Sequence, residues 1–221
     1  MERALIIGSS GGIGAALCAA LAGRGVEAVG LSRSGDGLDV TDETSVATHL
    51  GALEGAFDLI LVTTGALEID GAVPEKSLDA LDARALADQF ALNAIGPALV
   101  LKHARRLLPR DRRAVLGVLS ARVGSIGDNR LGGWYGYRAA KAALNQVVRT
   151  AAIELARTHR QLACVALHPG TVATPFTEKY LGRHPAVPPQ EAARNLLAVC
   201  DGLGPDDTGG FFDWAGKEVR W

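Results

Sequence analysis

The sequence predicts an α/β fold: one domain built on a doubly wound parallel sheet with helices on both faces. Three observations carry this. Strand-like and helix-like segments alternate from end to end, the strand-like runs are short and apolar without polar alternation, and the first breaks into a glycine turn that opens a helix. Strands are expected over residues 3–7, 26–31, 38–40, 58–62, 114–120, 161–167 and 211–214. The first rests on Ala4-Leu5-Ile6-Ile7, and the sixth runs into Pro169, which has no N–H and ends strand pairing. Helices are expected over 12–22, 43–53, 83–108 with a break near Gly96-Pro97, 137–158 and 189–200. The first is rich in alanine and leucine and is stopped by Gly23 and Gly25. The long irregular stretch 175–188, with prolines at 175, 185 and 188 and another at 189, is expected to form a lid over a ligand.

Composition bounds the function. With 221 residues, 48% of them hydrophobic, the chain supports a single sizeable core. A net charge of −1 gives no electrostatic reason to expect nucleic acid or an anionic membrane as partner. Cys18, Cys164 and Cys200 lie in apolar stretches at wide spacing and read as reduced thiols of a cytoplasmic protein. The first strand begins so close to Met1 that no signal peptide is expected, and no apolar run has the length of a membrane span. Histidines 49, 103, 159 and 184 are scattered without ligand spacing, so no metal is expected. The arginines at 105, 106, 110, 112 and 113 read as a solvated helix end complementing the helix dipole.

In doubly wound sheets ligands bind beyond the carboxyl ends of the strands. Behind the first strand stands Gly8-Ser9-Ser10-Gly11-Gly12-Ile13-Gly14, where glycines allow a pyrophosphate to approach backbone N–H groups at a helix N-terminus. No Lys-Ser/Thr follows Gly14, which argues against a nucleoside-triphosphate loop. Tyr137 and Lys141 stand four apart at a helix start and share a face. Lowering a phenol by about three pKa units takes roughly 4 kcal/mol. A cation about 4 Å away at an effective dielectric near 20 supplies about that much, so Lys141 is expected to make Tyr137 a usable proton donor.

Taken in order, the glycine run, Asn93, the strand end at Ser120, Tyr137/Lys141 and Pro169-Gly170-Thr171-Val172-Ala173-Thr174 resemble the short-chain dehydrogenase/reductase family, over essentially the whole chain. The stretch from Ser125-Ile126-Gly127 to Gly133-Trp134-Tyr135-Gly136-Tyr137-Arg138 is most similar to its C-factor and Sniffer-like carbonyl reductase branch. The resemblance implies a Rossmann-type fold and an NADP(H)-dependent oxidoreductase acting on a small carbonyl or alcohol. It makes Tyr137 the general acid, Lys141 its tuning partner and ribose contact, and Asn93 the residue that holds a relay water. It places the dinucleotide on Gly8, Ser10, Gly12, Ile13 and Gly14, on Asp39-Val40 for the adenine, and on Thr64 and Gly65. Pro169, Gly170, Val172 and Thr174 cup the nicotinamide. An aspartate at 39 equally suits a cap for the following helix. Residues 28–33 lack the carboxylate of an NAD site and offer Ser32 and Arg33 to a 2′-phosphate instead, so NADPH is expected over NADH.

One departure bears on the chemistry. The serine slot, three residues before Gly124, holds Ala121, with Ser120 one position early and Ser125 just past the glycine. Ser120 is taken as the serine if the strand ends or bulges there, with Ser125 in reserve. The empty slot keeps open a dinucleotide-binding signalling or sensor protein, and Tyr-x-x-x-Lys also suits a sugar-nucleotide epimerase or dehydratase, for which 221 residues leave little room. His168 ends a strand, but Tyr137 already fills the acid's role. Trp134, Phe176, Tyr180 and Leu181 suggest an apolar pocket wall, and the small-residue face Ala139, Ala142, Ala143 suggests a homodimer.

Overall fold

The computed structural model describes residues 1–175, 177–180 and 186–221. Six parallel strands form one sheet: β1 Arg3–Ile7, β2 Glu27–Leu31, β3 Leu59–Val62, β4 Ala114–Leu119, β5 Leu162–His168 and β6 Phe211–Asp213. Their order is β2-β1-β3-β4-β5-β6, so the chain reverses its direction of travel between β1 and β3. That reversal opens a crevice at the carboxyl ends of the two strands.

The helices are α1 Gly12–Ala22, α2 Arg33–Asp36, α3 Glu43–Gly51, α4 Ala83–Phe90, α5 Gly96–Ala104, α6 Tyr135–Leu155 and α7 Pro189–Gly202. Strand alternation divides the core between the two faces. Leu116 and Val118 of β4 pack with Val100 of α5 and Leu144 and Val148 of α6. Val115 and Leu119 pack on the other side with Leu17 of α1 and Leu196 of α7. Because both faces are covered, the strands read as unbroken apolar runs.

Residues 38–40 correct the expected strand set, for they form no ladder. Gly37 ends α2 in the left-handed region at φ 80°, and the next three residues are held by side chains instead. Asp39 N–H donates to Ser45 Oγ at 3.0 Å, while the Asp39 carboxylate accepts from Thr41. The cap of α3 is Asp42, whose carboxylate accepts from Thr44 N–H, so the capping alternative for Asp39 falls as well. The expected break in 83–108 is real but lies earlier than Gly96-Pro97, as a π-helical turn over Ala91–Ile95 containing Asn93. Pro97 sits in the first turn of α5, where its missing N–H costs nothing.

Two arginines of the exposed basic cluster also bind backbone. Arg106 donates to the carbonyls of Leu50, Gly51 and Leu53 behind α3, and Arg113 to those of Cys200, Asp201 and Leu203 behind α7. Each guanidinium satisfies the carbonyls a helix leaves unpaired at its C-terminus. The three cysteines are unpaired thiols, and burial pushes Cys164 and Cys200 up to about 12. Among the described residues no helix is long and apolar enough to cross a membrane, and no cluster of His, Cys, Asp and Glu has metal-site geometry. Ala139 is exposed and Ala142 and Ala143 are half-buried on the outer side of α6.

Candidate active site

A cavity of about 1130 Å³ occupies the crevice at the sheet's carboxyl edge. The turns after β1, β3, β4 and β5 all reach it. Ser10, Gly12, Ile13 and Gly14 line it from the first, Thr64 and Gly65 from the second, Ser120 from the third, and Pro169, Gly170, Val172 and Thr174 from the fourth. Tyr137 and Lys141 complete the lining from the first turns of α6. Asn93, Gly8, Ser32, Arg33, Asp39 and Val40 do not line it.

The glycine turn is shaped by contacts that exclude a Cβ. Gly8 has φ 92°, and a Cβ there would stand 2.7 Å from Thr63 Oγ1. A Cβ on Gly14 would stand 2.2 Å from the Gly8 carbonyl oxygen. Thr63 Oγ1 in turn donates to the Ile7 carbonyl at 2.9 Å, tying together the two turns of the crevice. No side chain caps α1 and its first turn holds no acid, so neither a cap nor a first-turn carboxylate offsets the positive end of the helix dipole. Thr64 Oγ1 is buried with no hydrogen-bond partner among the described residues. Open helix N–H groups, an orphaned hydroxyl and a glycine-lined approach fit the phosphates and ribose of a dinucleotide.

Outside the cavity, the end of β2 differs from expectation. Ser32 is buried as the N-cap of α2: its Oγ accepts from Gly35 N–H at 3.0 Å, and its N–H donates to the Asp36 carboxylate at 2.9 Å. The hydroxyl expected to meet a 2′-phosphate is spent inside this turn, which leaves the exposed Arg33 alone at that position.

Tyr137 and Lys141 are both buried. Lys141 Nζ donates to the Leu119 carbonyl at 3.0 Å and lies 5.7 Å from the centre of the Tyr137 ring. In the chain alone, charge loses to desolvation on both residues. Burial raises the Tyr137 phenol above its usual range and brings Lys141 from 10.5 down to about 7. The expected field of a fully charged lysine is thus reduced, because the same burial that brings the pair together discourages the ammonium.

The Asn93 amide is satisfied by the backbone of Ala66 and the side chain of Gln89. Its Oδ1 accepts from Ala66 N–H at 3.2 Å, and its Nδ2 donates to the Ala66 carbonyl at 2.9 Å and to Gln89 Oε1 at 2.8 Å. It holds the β3 turn against the π-helical turn, and Gly65 lies so close that a Cβ there would stand 2.7 Å from Asn93 Oδ1.

At the serine position β4 ends at Leu119, and Ser120 N–H makes a last bond to β5, to the Leu167 carbonyl at 2.8 Å. Ser120 borders the cavity, yet its hydroxyl donates to Asn145 Oδ1 at 2.6 Å, and Asn145 Nδ2 reaches the Gly124 carbonyl. Ser125 is buried and its Oγ accepts from Asp128 N–H at 3.1 Å. Ala121, extended at φ −142°, lines the cavity instead. The Ser120 proton is thus taken by Asn145, and Ser125 does not line the cavity.

His168 is held neutral, pushed down to about 4 by burial and by the Arg122 charge. Trp134 meets Tyr137 edge-on at 6.3 Å and Tyr180 at 5.3 Å, an aromatic wall as expected. Phe176 and Leu181 lie outside the described residues. Residue Tyr180 is anchored by a hydrogen bond to Glu68 at 2.8 Å, and burial and that carboxylate raise its phenol to about 12.

Sequence reasoning missed Glu75, Arg138 and Asn145. Asn145 had a signal, since Tyr137, Lys141 and Asn145 repeat every four residues along one face of α6. Glu75 had none: it comes from a distant loop, and its carboxylate accepts from Gly136 N–H at 3.1 Å. It replaces a cap that Trp134, left-handed at φ 53°, does not supply.

The fold and the crevice define a doubly wound α/β protein whose cavity lies at a topological switch point, where a glycine turn and a tyrosine–lysine pair share one lining. A family model described as enoyl-(acyl carrier protein) reductase matches residues 33–198. The chain is 30% identical to 1-hydroxy-2-glutathionyl-2-methyl-3-butene dehydrogenase of a Rhodococcus species, over all of both chains. It is 36% identical to C-signal of Myxococcus xanthus over 66% of this chain and 84% of that one. A short-chain dehydrogenase/reductase of Burkholderia multivorans with bound NADP superposes with a TM-score of 0.84 at 27% identity, covering 100% of this chain and 99% of that one. Carbonyl reductase Sniffer of D. melanogaster superposes at 0.83 with 20% identity over the whole of both chains. This chain belongs to the short-chain dehydrogenase/reductase family of oxidoreductases.

Proposed function

We propose that the protein is an NADP(H)-dependent reductase of small carbonyl compounds, or the dehydrogenase of the corresponding alcohols. One observation carries this reading: Tyr137 and Lys141 share the cavity of the glycine turn, so a proton donor and a dinucleotide meet in one place. When bound, the dinucleotide supplies hydride at its nicotinamide. Tyr137 gives its proton to the carbonyl oxygen as negative charge develops there. Lys141 binds the ribose beside it, the α1 N–H groups hold the pyrophosphate, and Pro169 to Thr174 cup the nicotinamide. Asn93 acts by keeping the β3 turn and the π-helical turn together, and a relay water in this scheme rests on backbone carbonyls. With Ala121 in the serine slot, Tyr137 works without a neighbouring hydroxyl. The preference for NADPH rests on Arg33, aided by the lack of an acid in residues 28–33.

The sensor alternative rests on Ala121 and on the similarity to C-signal, and relatives named as dehydrogenases weigh against it. Three unpaired cysteines support a cytoplasmic setting, the Pro-rich segment at 175–189 a lid, and the alanine face of α6 a homodimer. Turnover of an aldehyde and diketone panel with NADPH and NADH tests the central reading. Reduction of some members with NADPH supports it, and tight dinucleotide binding without any turnover overturns it.

A further inference from the structure

Among the described residues, the cavity lining carries the cations Arg122, Arg130, Arg138, Lys141 and Lys179 against a single carboxylate, Asp128. Three of the five are accounted for. Arg122 lies 3.2 Å from Asp213 and 3.5 Å from Asp128, and Lys179 lies 2.7 Å from Glu68. Lys141 is buried on the Leu119 carbonyl beside Tyr137. Arg130, exposed on the rim, and Arg138, half-buried, have no carboxylate partner among the described residues.

Arg138 is a prepared site rather than a solvated charge. Its Nε donates to the Gly133 carbonyl at 2.9 Å and its Nη1 to the Val123 carbonyl at 3.3 Å, which fixes the plane of the guanidinium. Its Nη2 has no hydrogen-bond partner among the described residues. A guanidinium keeps its charge when desolvated, so a half-buried one without a counter-ion is costly unless an anion arrives. The dinucleotide is poorly placed to be that anion. Its phosphates belong to the turn after β1, whereas Arg138 stands in the first turn of α6, which follows β4, two strands from β1 in the sheet order. Arg138 instead adjoins Tyr137 in sequence, with Trp134 beside it as an apolar wall.

We infer that Arg138, assisted by Arg130 at the rim, recognises a carboxylate on the substrate. The substrates of this cleft are then aldehydes, ketones or alcohols that carry a carboxylate separated from the reacting carbon by an apolar spacer. A planar fork of N–H donors suits a carboxylate in geometry as well as charge. The inference rests on the reading of Tyr137 as the proton donor to a carbonyl.

The test compares 4-carboxybenzaldehyde with its methyl ester, using NADPH and the intact protein; the ester is the more electrophilic aldehyde, so a preference for the acid comes from its remote charge and not from carbonyl reactivity. The parent should prefer the acid in kcat/KM by at least about tenfold. R138Q should lose most of that preference through KM for the acid, with the ester little changed, while R138K restores part and R130Q has a smaller effect. If Arg138 only braces Gly133 and Val123, R138Q lowers both substrates equally and the inference falls. It falls too if the parent shows no preference for the acid, an outcome that leaves the carbonyl reductase reading standing. Turnover of neither substrate, nor of any member of the carbonyl panel, overturns both. Should R138Q fail to fold, the parent's preference and R130Q still decide.

Discussion

Lys141 should lower the stability of the protein that depends on it. It is 3% exposed, and burial takes its ammonium from 10.5 to about 7. That shift corresponds to roughly 5 kcal/mol of disfavoured charge. The unfolded chain binds the extra proton between pH 7 and 10.5, so stability rises with pH across that window, by about 1.4 kcal/mol per unit. Below pH 7 both states are charged and the full cost applies. Lys141→Met keeps the bulk, removes the charge, and leaves the Leu119 carbonyl without its donor, a loss of about 1–3 kcal/mol. Urea denaturation without dinucleotide should therefore find the variant more stable than the parent by about 2–4 kcal/mol at pH 6. The gap should close between pH 9 and 10, while dehydrogenase activity is lost. Comparing the pair at each pH cancels the other titrating groups. A difference that does not change with pH, or a less stable variant at pH 6, refutes the reasoning.

Tyr137→Phe should cut turnover by at least about 100-fold with NADPH affinity unchanged, measured by fluorescence titration; a variant keeping a tenth of the rate contradicts the proposed acid. Ser120→Ala should cost about 1–3 kcal/mol of stability, since it strands Asn145 Oδ1 in a buried site, and should leave most activity. Ala121→Ser should raise activity if a hydroxyl in that slot meets the substrate oxygen; an inactive but stable Ser120→Ala variant reverses the assignment. Arg33→Ala should weaken NADPH by at least about tenfold more than NADH, since it loses a charge-assisted contact to the 2′-phosphate. Equal affinities for both cofactors in the parent would sink that preference.

Much of the fold was legible because its signals are local. The strands are marked by apolar runs of four to seven residues, and α1 by glycines at its start and behind its end. The Tyr137–Lys141 pair was legible from helical spacing alone. The failures have physical causes of another kind. Residues 38–40 have apolar ends and read as a strand, but side-chain bonds from Ser45 and Thr41 hold them in a turn. The break at 91–95 is placed by Asn93 bonding to Ala66, a partner 27 residues away. Arg106 and Arg113 cap helix ends 53 to 90 residues distant, which no local pattern marks.

By itself the sequence determined the period of each segment, the glycine turn, and the order in which chemistry-bearing residues reach the carboxyl edge. Those follow from backbone sterics and from the alternation of apolar residues, both local in the chain. Only the tertiary structure decided how these groups are presented. Asn145 takes the Ser120 hydroxyl, and Glu75 caps the helix that carries Tyr137. Burial decides the charge that Lys141 can keep, and the lack of an acid opposite Arg138 leaves its guanidinium uncompensated. Hydrogen bonding and desolvation depend on neighbours in space, and those neighbours come from parts of the chain brought together only by folding.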